Sequence, residues 1–148
     1  MKINWWEYII IHHSLTKDQA VVDWPAIRRY HVDTLGWSDI GYHFGIEFVE
    51  RAAFDGGYEI LIGRQLNEIG AHCKEMGMNK YGIGVCMIGN CDFASPPLEQ
   101  MDKLTKLTKA LMDTFNIPRE NVMRHHDFAP YKTCPGIMFP WGEFKSSL

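Results

Sequence analysis

The apolar positions of this chain fall into several short runs, and one of these runs ends on two histidines. The run YIIIHH at residues 8–13 is rich in β-branched side chains and predicts a buried strand. Because side chains alternate along a strand, we expect His12 and His13 on opposite faces of the sheet. Two further runs, IGYHFGIEF at 40–48 and YGIGVCMIG at 81–89, also predict strands. The glycines of the 81–89 run indicate close packing by a neighbouring element.

Two segments carry the longer apolar period of amphipathic helices. One helix is predicted from Asp23, its N-cap, to about Leu35. A second is predicted from Pro96 to Phe115, with Ser95 as its N-cap. The predicted apolar face of this second helix consists of Leu98, Met101, Leu104, Thr108, Leu111, Met112 and Phe115.

The remaining segments predict a hairpin, a last strand and a C-terminal turn or short helix. FDGGYEIL at 54–61 predicts a hairpin with Asp-Gly-Gly at its tip. NVMRHH at 121–126 predicts a short strand, and FPWGEFKSSL at 139–148 the terminal turn or helix. Strands alternate with helices and nothing repeats, so we expect one α/β domain over residues 1–148. Its central mixed β-sheet would be flanked by helices.

Composition narrows the possible partners of this domain. The chain has 148 residues, of which 46% are hydrophobic and 22% charged, as expected of one globular domain. A net charge of −3 argues against a nucleic-acid partner, and no apolar run approaches the roughly 20 residues of a membrane span. The first 11 residues are too polar for a secretory signal. We therefore expect synthesis in the cytoplasm with no export route of the chain's own.

The four cysteines lack the spacing of a disulfide scaffold. Cys73, Cys86, Cys91 and Cys134 form no CxxC pair. Reduced, partly buried thiols are the expectation, and a Cys86–Cys91 disulfide is the alternative.

Three residues from the two ends of the chain suggest a metal site. His12 closes the first predicted strand, His125 follows the last one, and Cys134 stands before a Pro-Gly turn that can fix a thiolate. Two imidazoles and one thiolate form a three-ligand zinc set that leaves the fourth tetrahedral position for water. Their separation in sequence means that only folding can bring them together.

Five blocks of the sequence resemble one known family. IIIHHS, GYHFGIE, GRQLNEIGAHC, GIGVCMIGN and RHHDFAPYKTCPG occur, between residues 9 and 136, in the order found in zinc N-acetylmuramoyl-L-alanine amidases. That group includes small phage lysozyme-type amidases and the peptidoglycan recognition proteins. The resemblance implies a peptidoglycan-recognition/amidase-like fold.

The resemblance also implies a ligand set for one catalytic Zn²⁺. Matched to the family motifs, the ligands are His12, His125 and Cys134. The adjacent His13 and His126 are the alternatives at the two histidine positions. His126 stands where the family usually has arginine, and Arg124 where glycine is common.

The same resemblance implies roles for four further side chains. Tyr42 and Lys132 match catalytic positions, with Tyr42 orienting the attacking water and Lys132 stabilising the oxyanion. His43 and His72 lie in motifs that line the substrate groove, so they are expected to bind substrate or, alternatively, to be structural. The family's glutamate base has no clear counterpart in this sequence.

The implied activity is hydrolysis of the amide between the lactyl group of N-acetylmuramic acid and L-alanine in peptidoglycan. The expected enzyme is a monomer of the phage or prophage endolysin type, acting on the cell wall after release. One alternative is a recognition module that binds peptidoglycan without cleaving it. Another is a cytoplasmic amidase that recycles soluble muropeptides.

Overall fold

A five-stranded mixed sheet forms the centre of the molecule. The computed structural model describes residues 5–16, 23–51 and 54–148, and its strands are ordered β3-β2-β4-β1-β5. Neighbouring strands are parallel except for the β2–β3 pair. The strands are β1 (Tyr8–His13), β2 (Phe44–Arg51), β3 (Phe54–Ile62), β4 (Gly82–Met87) and β5 (Val122–Arg124). This architecture confirms the predicted α/β class with a mixed sheet.

Helices cover both faces of the sheet. They are α1 (Trp24–Arg29), continued by a π-helical turn (Tyr30–Thr34), α2 (Met78–Tyr81), α3 (Leu98–Phe115), α4 (His125–Phe128) and α5 (Trp141–Ser146). Short 3₁₀ turns span Glu75–Gly77 and Arg119–Asn121. Within the described ranges, no helix is long and apolar enough to cross a membrane.

The alternation along β1 divides the core into two sides. Ile9 and Ile11 pack in the large cluster that contains the apolar face of α3. Ile10 packs on the other side with Cys73 and Met78. His12 shares that second side at the carboxyl end of the strand, where groups in a parallel sheet are presented to ligands. The predicted separation of His12 from His13 therefore follows from ordinary strand geometry.

The first predicted helix begins as expected. Asp23 accepts a hydrogen bond from the backbone nitrogen of Ala26 at 2.9 Å, so it is the N-cap of α1. The helical path continues through the π-helical turn to Thr34.

The second predicted helix starts later than the sequence suggested. α3 begins at Leu98, because a residue before proline avoids helical dihedrals and Pro96 precedes Pro97. Ser95 is not its N-cap, and its hydroxyl donates instead to the carbonyl of Met138 at 3.0 Å. The predicted apolar face was wrong at Leu98, which is 89% exposed. The face missed Gln100, which is 3% exposed.

The hairpin predicted over 54–61 was wrong, because that whole segment lies in the single strand β3. The pairing of β2 with β3 runs as far as Arg51 opposite Phe54, so Asp-Gly-Gly at 55–57 lies inside β3. The register shifts between Val49 and Arg51, and Gly56 adopts a φ of +80°. Gly56 therefore provides the positive φ needed at this irregularity in the strand pairing, and it does not form a turn.

Three predicted strands have different bounds in the structure, and β4 spans only Gly82–Met87 of the predicted 81–89. β2 begins only at Phe44, so residues 40–43 precede its ladder. β5 ends at Arg124, and His125 begins the single helical turn of α4. The backbone nitrogen of Arg124 donates to Asp127 at 2.9 Å and its guanidinium pairs with the same carboxylate at 2.6 Å. This local ion pair turns the chain out of the sheet at His125.

Candidate metal centre

Three potential ligands from distant segments converge in the folded chain. Ligand atoms of His12, His125 and Cys134 all lie within 4.8 Å of one another. The Sγ atom of Cys134 is 3.6 Å from Nδ1 of His12. All three side chains are buried. Two imidazoles and one thiol in this arrangement are the donor set of a zinc site with one open position.

Parallel pairing brings the two histidines together. β1 lies between β4 and β5, and Ile11 pairs with Arg124. A histidine follows each of these two residues, so His12 and His125 lie next to each other at the same edge of the sheet. Their ring centroids are 4.6 Å apart.

A tight loop after α4 carries Cys134 back to this edge. The carbonyl of Cys134 accepts a hydrogen bond from the backbone nitrogen of His126 at 2.8 Å. The backbone nitrogen of His13 donates to the sulfur of Cys134 at 3.4 Å. Gly136 has a φ of +115°, and a Cβ there would lie 2.5 Å from the backbone of Cys91. Only glycine fits this turn, as the Pro-Gly pair suggested.

Backbone hydrogen bonding decides which nitrogen of His12 faces the cysteine. Nε2 of His72 lies 2.9 Å from the carbonyl of Gly82, so it must be the donor. Nδ1 of His72 is then an acceptor, and it lies 2.9 Å from Nε2 of His12. His12 therefore donates from Nε2 and keeps the lone pair of Nδ1 on the side of Cys134.

The ring of His72 packs directly against two glycines, Gly70 and Gly84. A Cβ at Gly84 would lie 2.6 Å from this ring, and a Cβ at Gly70 would lie 2.4 Å from it. The predicted close approach to the glycine-rich strand is thus made by a histidine of the site. His72 also borders the cavity described below.

His43 lies behind His72, away from the cavity. Its Nδ1 accepts from the backbone nitrogen of Gly84 at 3.1 Å, and its Nε2 donates to the carbonyl of Glu68 at 3.0 Å. The side chain is fully buried. This position favours the structural alternative over a substrate contact for His43.

Burial keeps these histidines neutral. It lowers the pKa of His43 to about 4 and, with repulsion from His43, that of His72 to about 3. Burial, followed by repulsion from His72 and His125, lowers the pKa of His12 well below its usual range. Neutral imidazoles are the form that binds metal ions.

Unlike the imidazoles, the thiol of Cys134 is not in its metal-binding form at neutral pH, because burial raises its pKa to about 12. The hydrogen bond from His13 and the charge of Lys132 oppose this shift without cancelling it. A cation that binds here must displace the proton of the thiol, as zinc does at coordinating cysteines.

A carboxylate that the sequence reasoning missed lies behind His125. Nε2 of His125 is buried without a hydrogen-bond partner among the described residues. The nearest acidic atom is Oε2 of Glu75, at 3.5 Å. Glu75 follows GAHC by two positions, and no sequence pattern placed it near this site. A buried histidine with one unpaired nitrogen fits a metal ligand whose second nitrogen needs an acceptor.

The ligands form part of the wall of a cavity of about 480 Å³. Tyr42 and Lys132 border the same cavity. The ring centroid of Tyr42 is 5.2 Å from that of His12. Burial, with the nearby thiols, raises the pKa of Tyr42 well above its usual range. Lys132 is exposed, and its ammonium lies 5.9 Å from the ring centroid of Tyr131.

The histidines adjacent to the two proposed ligands have other partners. Nδ1 of His13 accepts from the backbone nitrogen of Cys91 at 3.0 Å. Nδ1 of His126 lies 2.5 Å from the carbonyl of Lys132, to which it donates. His12 and His125 are therefore the members of each pair that join the cluster.

All four cysteines are free and buried. The Cys86–Cys91 disulfide considered from the sequence does not form.

The match to a family model agrees with this geometry. Residues 3–137 match the model of the N-acetylmuramoyl-L-alanine amidase family. The chain belongs to this family.

Relatives in the family include both endolysins and recognition proteins. The endolysin of Enterobacteria phage K11 is 36% identical over 132 residues, covering 86% of this chain and 78% of the phage protein. Peptidoglycan-recognition protein SC1a of Drosophila melanogaster is 28% identical over 147 residues, covering 96% of this chain and 74% of that protein. The structure of the amidase LysC from Clostridium intestinale superposes with a TM-score of 0.77 at 30% identity, covering 95% of this chain and 83% of LysC.

Proposed function

We propose that this protein is a zinc-dependent N-acetylmuramoyl-L-alanine amidase, with residues 1–148 as one amidase domain. It cleaves the amide between the lactyl group of N-acetylmuramic acid and L-alanine in peptidoglycan. The observation that carries this proposal is the convergence of His12, His125 and Cys134 at one wall of a cavity. Membership of the amidase family and the similarity to phage endolysins support it.

One Zn²⁺ would be held by His12 through Nδ1, by His125 and by the thiolate of Cys134. The chemistry that such an ion supplies is Lewis acidity, which lowers the pKa of bound water to about 7. Thiolate donation weakens that acidity relative to a set of three imidazoles. A nearby cation on the protein would offset this effect.

Lys132 supplies that cation at the cavity wall. Its ammonium would stabilise the negative charge that develops on the substrate carbonyl oxygen during attack. Because Lys132 is exposed, its side chain is free to reach a carbonyl that enters the cavity.

Tyr42 would act as a hydrogen-bond donor. Its raised pKa keeps the hydroxyl protonated at neutral pH, so it is unsuited to act as a base. The position next to His12 allows it to orient the attacking water and to pass a proton toward the leaving amine. Of His43 and His72, we propose that His72 contacts substrate, because it borders the cavity.

The test is release of new N-terminal alanine from purified sacculi. Zinc-loaded protein should expose new N-terminal alanine on the stem peptides, and a strong chelator or the substitution Cys134→Ser should abolish this signal. The alternative is a recognition module, and binding to sacculi without alanine release would refute catalysis. The presence of the thiol ligand favours the enzyme, because it completes the three-ligand set.

Intact wall is the proposed substrate, and the enzyme is proposed to act on it as a monomer. The 36% identity to a phage endolysin supports a lytic enzyme that reaches the wall after release. Comparing turnover on sacculi with turnover on a soluble anhydro-muropeptide tests this choice. Faster turnover of the soluble substrate would support the recycling alternative instead.

A further inference from the structure

We propose that Glu75 is a positioning residue of the metal centre, which accepts the Nε2 hydrogen of His125 and leaves Nδ1 of that histidine to bind the metal. This inference rests on the proposed zinc site and identifies a residue that orients one of its ligands. Glu75 itself would not touch substrate or metal.

The first observation is the unpaired nitrogen of His125. The side chain is only 5% exposed, and Nε2 has no hydrogen-bond partner within the described ranges. A buried polar nitrogen left unpaired costs roughly 1–3 kcal/mol. Oε2 of Glu75 lies 3.5 Å away, so a movement of about 0.5 Å would give an ordinary N–H to O hydrogen bond.

The second observation is that Glu75 is held in place by partners of its own. The Tyr131 hydroxyl donates to Oε1 of Glu75. The thiol of Cys73 donates to Oε2 at 3.6 Å. These two side-chain partners hold in place the carboxyl group that faces His125.

The third observation is the orientation of the imidazole between its two neighbours. His125 has a ligand atom within 4.8 Å of the ligand atoms of His12 and Cys134, and Nε2 faces Glu75. A histidine that binds a metal through one nitrogen donates its other N–H to an acceptor, commonly a carboxylate. Glu75 would fix both the tautomer and the ring plane of His125 in this way.

The contact also joins two loops of the site. Glu75 begins the 3₁₀ turn Glu75–Gly77, whereas Tyr131 precedes Lys132 in the loop that carries Cys134. Through Tyr131 the carboxylate therefore ties one ligand histidine to the loop of the thiolate ligand.

A second metal ion is the competing interpretation. Cys73, Glu75 and His125 also offer ligand atoms within 4.8 Å of one another. The two interpretations assign different roles to Glu75 and differ in metal stoichiometry.

The experiment measures zinc affinity by competition with a chromophoric chelator, and metal content after dialysis. Glu75→Ala should weaken zinc binding about 10- to 100-fold, the usual effect of removing a partner of a metal-bound histidine. Glu75→Gln keeps an oxygen acceptor and should lose less. Glu143→Gln, on the exposed surface of α5, is the matched control and should bind like the unmodified protein.

A spectroscopic readout separates positioning from general damage. In zinc-loaded, ¹⁵N-labelled protein, long-range nitrogen–proton spectra should show His125 protonated at Nε2 and metal-bound at Nδ1. Metal binding at Nε2, unchanged zinc affinity of Glu75→Ala, or two zinc ions per chain would each overturn the proposal. These readouts do not depend on turnover, so a protein that binds zinc in this manner without releasing alanine refutes only the proposed function.

Discussion

Metal-free protein should lose stability steeply between pH 7 and pH 5, because buried histidines remain neutral in the folded state. His43 has its pKa lowered to about 4 by burial, whereas an exposed histidine in the unfolded chain titrates near 6.5. Between these two values the unfolded chain takes up a proton that the folded chain does not. Stability is therefore fully present above about pH 6.5 and is lost as the pH falls toward 4.

The size of the loss follows from the two pKa values. A difference of one pKa unit is worth about 1.36 kcal/mol. From pH 7 to pH 5, linkage gives a loss of about 2 kcal/mol for His43. His72, with a pKa of about 3, adds a loss of similar size, so the pair accounts for about 4 kcal/mol. That is a large part of the roughly 5–15 kcal/mol that stabilises a typical domain.

The assay is urea unfolding at pH 7 and pH 5 in the presence of a chelator. The matched variant is His43→Gln, whose amide can accept from Gly84 and donate to Glu68 as the imidazole does but does not titrate. Its loss between the two pH values should be smaller than that of the unmodified protein by about 2 kcal/mol. The carboxylates with lowered pKa, Glu75, Asp92 and Asp127, lose their contribution only below this window. Equal losses in the two proteins would refute the reasoning.

Three further predictions concern the site and its support. Lys132→Ala should lower turnover about 10²- to 10³-fold while changing zinc affinity much less, and an equal loss of both would count against an oxyanion role. Gly84→Ala places a Cβ 2.6 Å from the ring of His72 and should weaken zinc binding about 10-fold or more in the chelator competition. Gly142→Ala, where no heavy atom lies within 4 Å of the added Cβ, should leave zinc affinity unchanged. Gln100→Ala should lower the free energy of unfolding in urea by about 1–3 kcal/mol, because the amide donates to the carbonyls of Ile46 and Ile88.

The parts of the site that lie on strand ends could be predicted from the sequence. The period of two along β1 separates His12 from His13 without any knowledge of the rest of the fold. The structure places His12 beside His125 and gives His13 a backbone partner at Cys91. The Pro-Gly turn marked Cys134 as the third candidate and the family motifs matched it, but its approach to the two histidines depends on a loop that no local pattern specifies.

The parts that depend on loop conformation could not be predicted. Glu75 lies 3.5 Å from His125 at the start of a short 3₁₀ turn, in which the next residue, Met76, adopts a φ of +53°. Likewise, Ser95 has the chemistry of an N-cap, but the following prolines delay the helix and leave its hydroxyl to Met138. In each case the residue type indicated the kind of interaction that the side chain makes. The partner depended on backbone dihedrals, which cannot be predicted from the periodicity of side chains.

The backbone also prepares the ligand His12 before any metal arrives. The carbonyl of Gly82 fixes the tautomer of His72, and His72 in turn fixes the tautomer of His12. Glycine at 84 is what lets the His72 ring lie close enough to β4 to complete this chain of hydrogen bonds. Because the order of donors is imposed by a carbonyl that can only accept, the lone pair of His12 faces Cys134 without rearrangement. Glycine in this strand therefore affects the geometry of the metal ligands as well as packing. For this reason a single methyl group added at Gly84 should weaken zinc binding.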